Sequence, residues 1–352
     1  MILNSNKDKD YWIGLLDKFP NTLQDIYYHP EYLNLNCLKK DSQGYMFVNQ
    51  HQNKIWAYPF IKIKVPNFDL NFDKKNYYDL ETAYGYGGPI SNSEDLQFIK
   101  RSNTEFLNYI EKNNILVEFY RFHPLFQNSN LVDESIEIIK NRKTCSIKFD
   151  QIDDQISYYS SKVRNMINRT KKNNIHSYIS LDKIDFLDFQ KIYLDLMLTK
   201  KADKELFFTD SYFNQLYKLI QKNGFLSVVK NNKSEILGAG VFLFGKKFCH
   251  YHLSATNQKY KSPGVNNLLI HQAIIEAKKK KLELLHLGGG NTNVDDDNLY
   301  LFKKSMANLE HVYHVGKRIN NLEFYEKVKT AWVTKKNNKN HKNFSRLLCY
   351  HS

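Results

Sequence analysis

The sequence contains no uninterrupted apolar run approaching the ~20 residues that a bilayer-spanning helix needs, which excludes a helical membrane span. Its first residues, MILNSNKDKDYW, contain no apolar core of the kind a secretory signal carries, so none is predicted. Cysteine is scarce: Cys37, Cys145, Cys249 and Cys349 are scattered and form no CxxC pair. That pattern excludes a cysteine zinc site and fits a reducing cytoplasm. Acidic residues are outnumbered, 37 Asp and Glu against 51 Lys and Arg, giving a net charge of +14. Asn, Lys, Ile and Tyr are abundant throughout, as an AT-rich genome would produce, so codon bias accounts for part of the excess. The stretch KKNNKNHKNFSRLLCYHS, 335–352, supplies five Lys or Arg and no acid. The remaining charge points to anionic partners, or to an ordinary solvated basic surface.

What is present is a folded chain. Hydrophobic residues make up 42% and aromatics 14%, and 352 residues suffice for two domains with separate cores. DKDYWIGLLDKF has helical periodicity, while GYMFVNQHQ and KIWAYPFIKIKV alternate as neighbouring strands. YGYGGP must be a loop, Ser93 with Glu94 is expected to start a helix running to about Asn113, and ILVEFYRF is a strand halted at His123-Pro124. Past residue 150, Ile156, Tyr159, Val163, Met166 and Ile167 fall on one helical stripe that excludes Arg164, Arg169, Lys171 and Lys172. Two more helical segments follow, then the strands FLSVVK, ILGAGVFLF and KFCHYHLSA, a helix over about 264–281, and the strand LELLHL. The last strand–helix–strand run predicts a parallel pair joined by a crossover, and the first half repeats a shorter version of the same order.

The stretch LHLGGGNTNVDDDNLYLFKKS looks like three sites in a row. GGGNTN lacks both the GxGxxG pattern and the GK[ST] of a Walker loop, so nucleotide binding of either kind is not expected. VDDDNL lacks the ligand spacing and central glycine of a calcium loop, so Asp295 to Asp297 are expected to cap the next helix.

Six motifs occur in an order that resembles the FemXAB-like branch of the GNAT acyltransferase superfamily, the peptidoglycan bridge-forming enzymes and their acetyltransferase relatives. They are TAYGYGGP, VEFYRFHPLFQN, SKVRNMINRTKKN, HYHLSAT, SPGVNNLLIHQAI, and HLGGG with LFKKS, spanning roughly 80–310. The resemblance implies an α/β (α+β) protein of two tandem GNAT-like domains, each a mixed, mostly antiparallel sheet flanked by helices. Residues 1–150 would form the first, with 320–352 available to complete it; 151–319 would form the acyltransferase domain; 335–352 would be a basic tail. It also implies acyl transfer to an amine, from acyl-CoA or from aminoacyl-tRNA, and a cleft for an anionic nucleotide- or lipid-linked acceptor. No metal is expected.

Individual residues follow. Amides at the helix start Gly264, Val265 and Asn266 can meet a donor phosphate, at the place where GNAT proteins bind the CoA pyrophosphate, though the family has more glycines there. Alternation in FCHYHLSA puts His250, His252 and Ser254 on one face, where the imidazoles could take the amine proton; hydrogen-bonded core histidines are the alternative. Two histidines without a third ligand do not make a zinc site. Arg164 can fork onto an acceptor phosphate or carboxylate, or lie on the polar face of its helix. Tyr84 and Tyr86 can stack on a base or sugar, and Arg121 and His123 share the end of a strand, where an arginine tying loops together is the competing reading. The resemblance places an important lysine in the FK segment: Lys303, with Lys304 beside it, would hold the oxyanion of the tetrahedral intermediate.

The expected function is transfer of an acyl or aminoacyl group from acyl-CoA to an amine of a cell-envelope precursor, an amino sugar or a stem peptide. Two alternatives stay open, an aminoacyl-tRNA-dependent bridge enzyme and a non-catalytic protein binding RNA or a membrane surface. The place expected is the cytoplasm, including the inner face of the plasma membrane, which the basic tail could contact.

Overall fold

The structure is a computed structural model that describes residues 1–68, 70, 75–151, 158–260, 262–336 and 345–351. Ile156 of the helical stripe and 337–344 of the basic stretch lie outside the described residues. The chain divides into two compact units: residues 1–23, 27–141 and 313–352 in the first, residues 24–26 and 142–312 in the second. No helix among the described residues is long and apolar enough to cross a membrane.

In the first unit, β1 (Ile2–Asn4), β2 (Ser42–His51), β3 (Lys54–Lys64), β4 (Tyr78–Glu81) and β6 (Ile115–Arg121) lie side by side in that order. The short β5 (Ile90–Ser91) pairs with β3, and the 315–319 part of a late strand, Leu309–Ile319, adds antiparallel to β6. β2 and β3 are the hairpin that the alternation in the sequence predicts. β4 and β6 are parallel, so the chain crosses between them through α3 (Leu96–Lys112), after α1 (Lys9–Leu16) and α2 (Pro30–Leu35). The expected cap at Ser93 is corrected: Asp95 is the N-cap, because its Oδ1 accepts from the amides of Gln97 and Phe98, while the Ser93 hydroxyl accepts from the Asp95 amide. Trp56, Tyr58, Phe60, Phe106 and Tyr120 form one core, and the C-terminal Trp332, Cys349 and Tyr350 pack with Leu116 and Val117 in another.

In the second unit the strand order is β7 (Glu137–Lys148), β12 (Leu284–Gly288), β11 (Phe248–Thr256), β10 (Ile236–Phe244), β9 (Gly224–Lys230) and β8 (His176–Ser180). All neighbours are antiparallel except β11 and β12. α4 (Ser161–Lys172) and α7 (Val265–Lys279) bury Val163, Ile167, Leu269 and Ala273 against one sheet face. α5 (Lys183–Thr199) and α6 (Asp210–Asn223) lie against the strands β9 to β11. Strands β7, β8 and 309–319 (β13) and helix α9 (Leu322–Lys336) were not expected from the residue pattern. α8 (Asn298–Lys304) is the short helix expected after the aspartates.

Gly264 has a different reason to be glycine from the one its sequence context suggests. Its φ is +90°, and a Cβ there would stand 2.7 Å from the Met166 carbonyl oxygen and 2.9 Å from the Thr170 methyl on α4. The close approach is to a helix of the same unit. Gly264→Ala is expected to lower the urea midpoint of this unit, since the left-handed region costs a non-glycine residue about 1–2 kcal/mol before the clash is relieved. Far-UV circular dichroism during urea titration measures the change.

Candidate active site

The site begins where two parallel strands part. β11 and β12 pair over only three residues, Phe248 with Leu284, Cys249 with Leu285 and His250 with His286, after which β11 continues alone to Thr256. Each strand edge at the opening is irregular. The register of β11 against β10 jumps from Leu253 to Tyr251, so His252 is an extra residue, and Leu287 is likewise extra in β12 against β7. A bulge shifts every later side chain to the other face.

That shift corrects the predicted face of β11. Ser254 does not accompany His250: it pairs opposite Gly240 and its hydroxyl accepts from the Tyr251 hydroxyl at 2.6 Å, on the α7 face. His250 and His252 remain on the face towards α6. The His252 Nε2 lies 3.0 Å from the Tyr212 hydroxyl, and burial, then the neighbouring His250, pushes its pKa down to about 3. His250 is 1% exposed with its Nε2 2.8 Å from Asp25 Oδ2. Beside it run His286, bonded to Thr144 at 3.0 Å, and His311, 2.6 Å from the Ser146 hydroxyl. A row of polar side chains on a sheet face is costly unless each finds a partner, and each of these does.

Lys303 approaches the opening from the other side. Its Nζ donates to the Gly289 carbonyl at 2.8 Å and lies 5.6 Å from the centroid of the Tyr251 ring, on the α7 face. Burial lowers its pKa to about 8; the Cys145 and Asp297 groups oppose the shift and Arg142 adds to it. Lys304 is paired with Glu310. The structure therefore brings Lys303 and the two histidines to one opening but to opposite faces of the sheet.

Asp297 holds Lys303 in place. Its Oδ1 accepts from the amides of Leu299 and Tyr300, which starts α8, and its Oδ2 accepts from the amides of Asn291 and Thr292 and the Thr292 hydroxyl, which pins the glycine loop. The Tyr300 amide contributes most, burial opposes, and the other donors bring the carboxyl to about 2. With an unfolded value near 3.9, this stabilisation is complete above about pH 4 and is lost as the pH falls through about 2. Asp297→Ala is expected to lower the midpoint of thermal unfolding and, by releasing α8, to reduce any activity that depends on Lys303. Asp295 pairs with Lys143 at 2.7 Å.

At the start of α7, Gly264 is an N-cap without a side-chain bond, Val265 is 3% exposed with its side chain inward, and Asn266 is exposed. Arg164, in the first turn of α4, donates from Nη1 to the Tyr159 carbonyl at 2.6 Å and from Nη2 to the Ser161 hydroxyl at 3.3 Å.

No family model and no curated protein sequence matches this chain. Solved structures do. A crystal structure of FemX superimposes with a TM-score of 0.68 at 11% identity, covering 93% of this chain and 99% of that one. The chain has the fold of the FemXAB-like GNAT proteins. L-PGS from Bacillus licheniformis gives 0.55 at 13% identity over 85% of this chain and 90% of that one. A tandem GNAT protein from the clavulanic acid biosynthesis pathway gives 0.52 at 7%, over 91% and 98%.

This FemXAB-like fold carries its other sequence-predicted residues in the first unit. Arg121 ends β6 and donates both Nη atoms to Glu81 Oε2 at 3.2 Å and Nη1 to the Thr82 carbonyl at 2.7 Å. Burial alone would raise Glu81, but Lys39 and Arg121 bring it down to about 2. His123 is buried, stacked on Phe126 at 3.8 Å. The Tyr86 ring meets Tyr27, His123 and Tyr313 at 5.3–5.8 Å, while Tyr84 is exposed and its carbonyl accepts from Tyr32. Asn128, missed in the sequence, organises this loop: its amide donates to the Gly87 and Pro89 carbonyls and its oxygen accepts from the His123 amide. Asp25, Tyr212, His286 and His311 were missed too. Of these, only His286 carried a signal, through its place opposite His250 in the predicted parallel pair.

Proposed function

We propose that the protein is an N-acyltransferase that moves an acyl or aminoacyl group to an amine of an anionic cell-envelope precursor, an amino sugar or a stem peptide. The observation that carries this reading is the parting of β11 from β12 after the His250–His286 pair, with the Lys303 ammonium held on the Gly289 carbonyl at its edge. In a GNAT fold such a gap accepts the reacting acyl group. The amine attacks the donor carbonyl, Lys303 stabilises the developing oxyanion, and the α7 start at Val265 and Asn266 meets the donor phosphates through backbone amides. Arg164 binds the acceptor within the second unit, and the net charge of +14 favours an anionic one.

Acyl-CoA is the donor favoured here, because among the described residues the second unit has, besides its helices α5 and α6, no long helical hairpin inserted between β8 and β13. The test has two arms. Mass spectrometry of envelope fragments from cells with and without the protein names the acyl group and acceptor by the added mass. Thiol release from acetyl-CoA, against transfer from radiolabelled aminoacyl-tRNA, separates the donors. Absence of any mass change together with no transfer from either donor would overturn the reading in favour of a non-catalytic binding protein.

A further inference from the structure

α5 carries two apolar faces, and the fold uses only one of them. Phe186, Phe189, Tyr193 and Leu196 are buried on the side that packs against β10, β11 and α6. The opposite side is where a surface helix is polar, yet Ile184 is 70% exposed, Leu187 49% and Leu198 65%. A single exposed leucine needs no explanation, but the spacing of these does. Ile184, Leu187, Lys191, Leu194 and Leu198 follow one another at intervals of three, four, three and four residues. Those are the a and d positions of two heptads, the narrow seam of a coiled coil rather than the broad stripe a helix lays on a globular core.

We infer that this stripe is a homodimer interface, a short parallel coiled coil between the α5 helices of two copies of this chain; it does not depend on the acyl-transfer reading. The charges beside the seam single out a second copy. Lys183 occupies a g position and Asp188 the e position that follows. In a parallel pair about a two-fold axis, Lys183 of each protomer therefore faces its partner's Asp188, and the contact occurs twice. Lys183 is already held towards α6: its Nζ donates to Asn214 Oδ1 at 3.3 Å and lies 4.3 Å from the centroid of the Tyr217 ring. Lys191 is the one polar residue in the seam, and a single lysine at an a position fixes register and helix number at some cost in stability. A bilayer of anionic lipid fits worse, because Asp188 and Asp195 line the other edge of the stripe. Two heptads bury little area, so the dimer dissociates on dilution.

Sedimentation velocity of the full chain over a dilution series tests the assignment. The wild type is expected to pass from dimer to monomer as it is diluted. Leu187→Glu and Leu198→Glu, both on the surface, are each expected to raise the dissociation constant about tenfold or more with far-UV circular dichroism unchanged, since each buries a carboxylate in the seam. Lys191→Leu is expected to lower it about tenfold. Asp188→Lys should weaken the dimer a few-fold, and adding Lys183→Glu should restore it, a rescue that only the cross-protomer pairing explains. The parallel arrangement has its own readout. Cys37 is the half-buried native thiol and the other three are buried. In a Cys37→Ser background, Ile184→Cys is expected to form a disulfide with its own copy, and a mixture with Leu198→Cys to give no mixed product. A cross-link from 184 to 198 alone means an antiparallel pairing and overturns the inference. So does a wild type that stays monomeric at ~100 μM, or a dimer that both glutamate variants leave unchanged.

Discussion

Lys303→Ala is expected to lower kcat by about 10²–10³-fold, the range for removing one donor to an oxyanion, with little change in KM. The lysine touches the site through its ammonium: one of three N–H bonds goes to the Gly289 carbonyl, and the Tyr251 ring lies 5.6 Å away. Its pH behaviour gives a sharper signature. Burial holds the pKa at about 8, against about 10.4 unfolded. The cation proposed to stabilise the oxyanion is therefore lost as the pH rises through about 8, and kcat should fall there. Stability should move the other way. Between about pH 8 and pH 10 the unfolded chain binds the proton that the folded chain has released, so this group's contribution to stability increases with pH. Activity and stability diverging over one pH interval, in the difference between wild type and Lys303→Met, is a result that a surface lysine would not give. Lys303→Arg keeps its charge throughout and should shift the alkaline fall out of range while retaining partial activity. Equal kcat in wild type and Lys303→Ala would assign the opening to another group.

The strands and crossover around this lysine were legible because the signals were local. Alternation marked KFCHYHLSA, a helical stripe followed it, and a short apolar run closed the unit, which together require a parallel pair. The face of Ser254 was misread because no residue type announces the bulge at His252; it follows from how β10 and β11 pair. Three consecutive aspartates were equally good caps on paper, and only packing singles out Asp297, whose two oxygens serve a helix and a loop at once. Asp25 is 225 positions from His250, a separation no periodicity reports. The strand LEHVYHVGKRI was missed because much of it is partly exposed, so its alternation of apolar and polar residues is weak. Lys303 itself was singled out by resemblance, and its partners came from the fold.

Glu118→Gln is expected to cost the first unit about 3–5 kcal/mol, because it strands a buried guanidinium. Glu118 is fully buried, and Arg318 donates to its Oε2 from Nε at 2.6 Å and from Nη2 at 2.5 Å, while the Tyr120 hydroxyl donates to Oε1 at 2.7 Å. The register sets this up: Arg318 stands directly opposite Glu118 in the antiparallel pairing of β13 with β6. Arg318 also donates to the Ser135 hydroxyl at 2.9 Å, but that bond carries no compensating charge. Replacing both partners, as in Glu118→Leu with Arg318→Met, should recover only part of the loss, since an apolar pair avoids the desolvation of two ions but leaves the buried Tyr120 hydroxyl without its acceptor. The measurement is unusually clean here. The chain has three tryptophans, Trp12, Trp56 and Trp332, and all are buried in the first unit. Urea unfolding followed by tryptophan fluorescence therefore reports that unit alone, which matters because two units need not unfold in one step. A fluorescence midpoint unmoved by Glu118→Gln would mean that Arg318 finds another acceptor, and the half-buried Asp133, 3.9 Å away, is the group to test next.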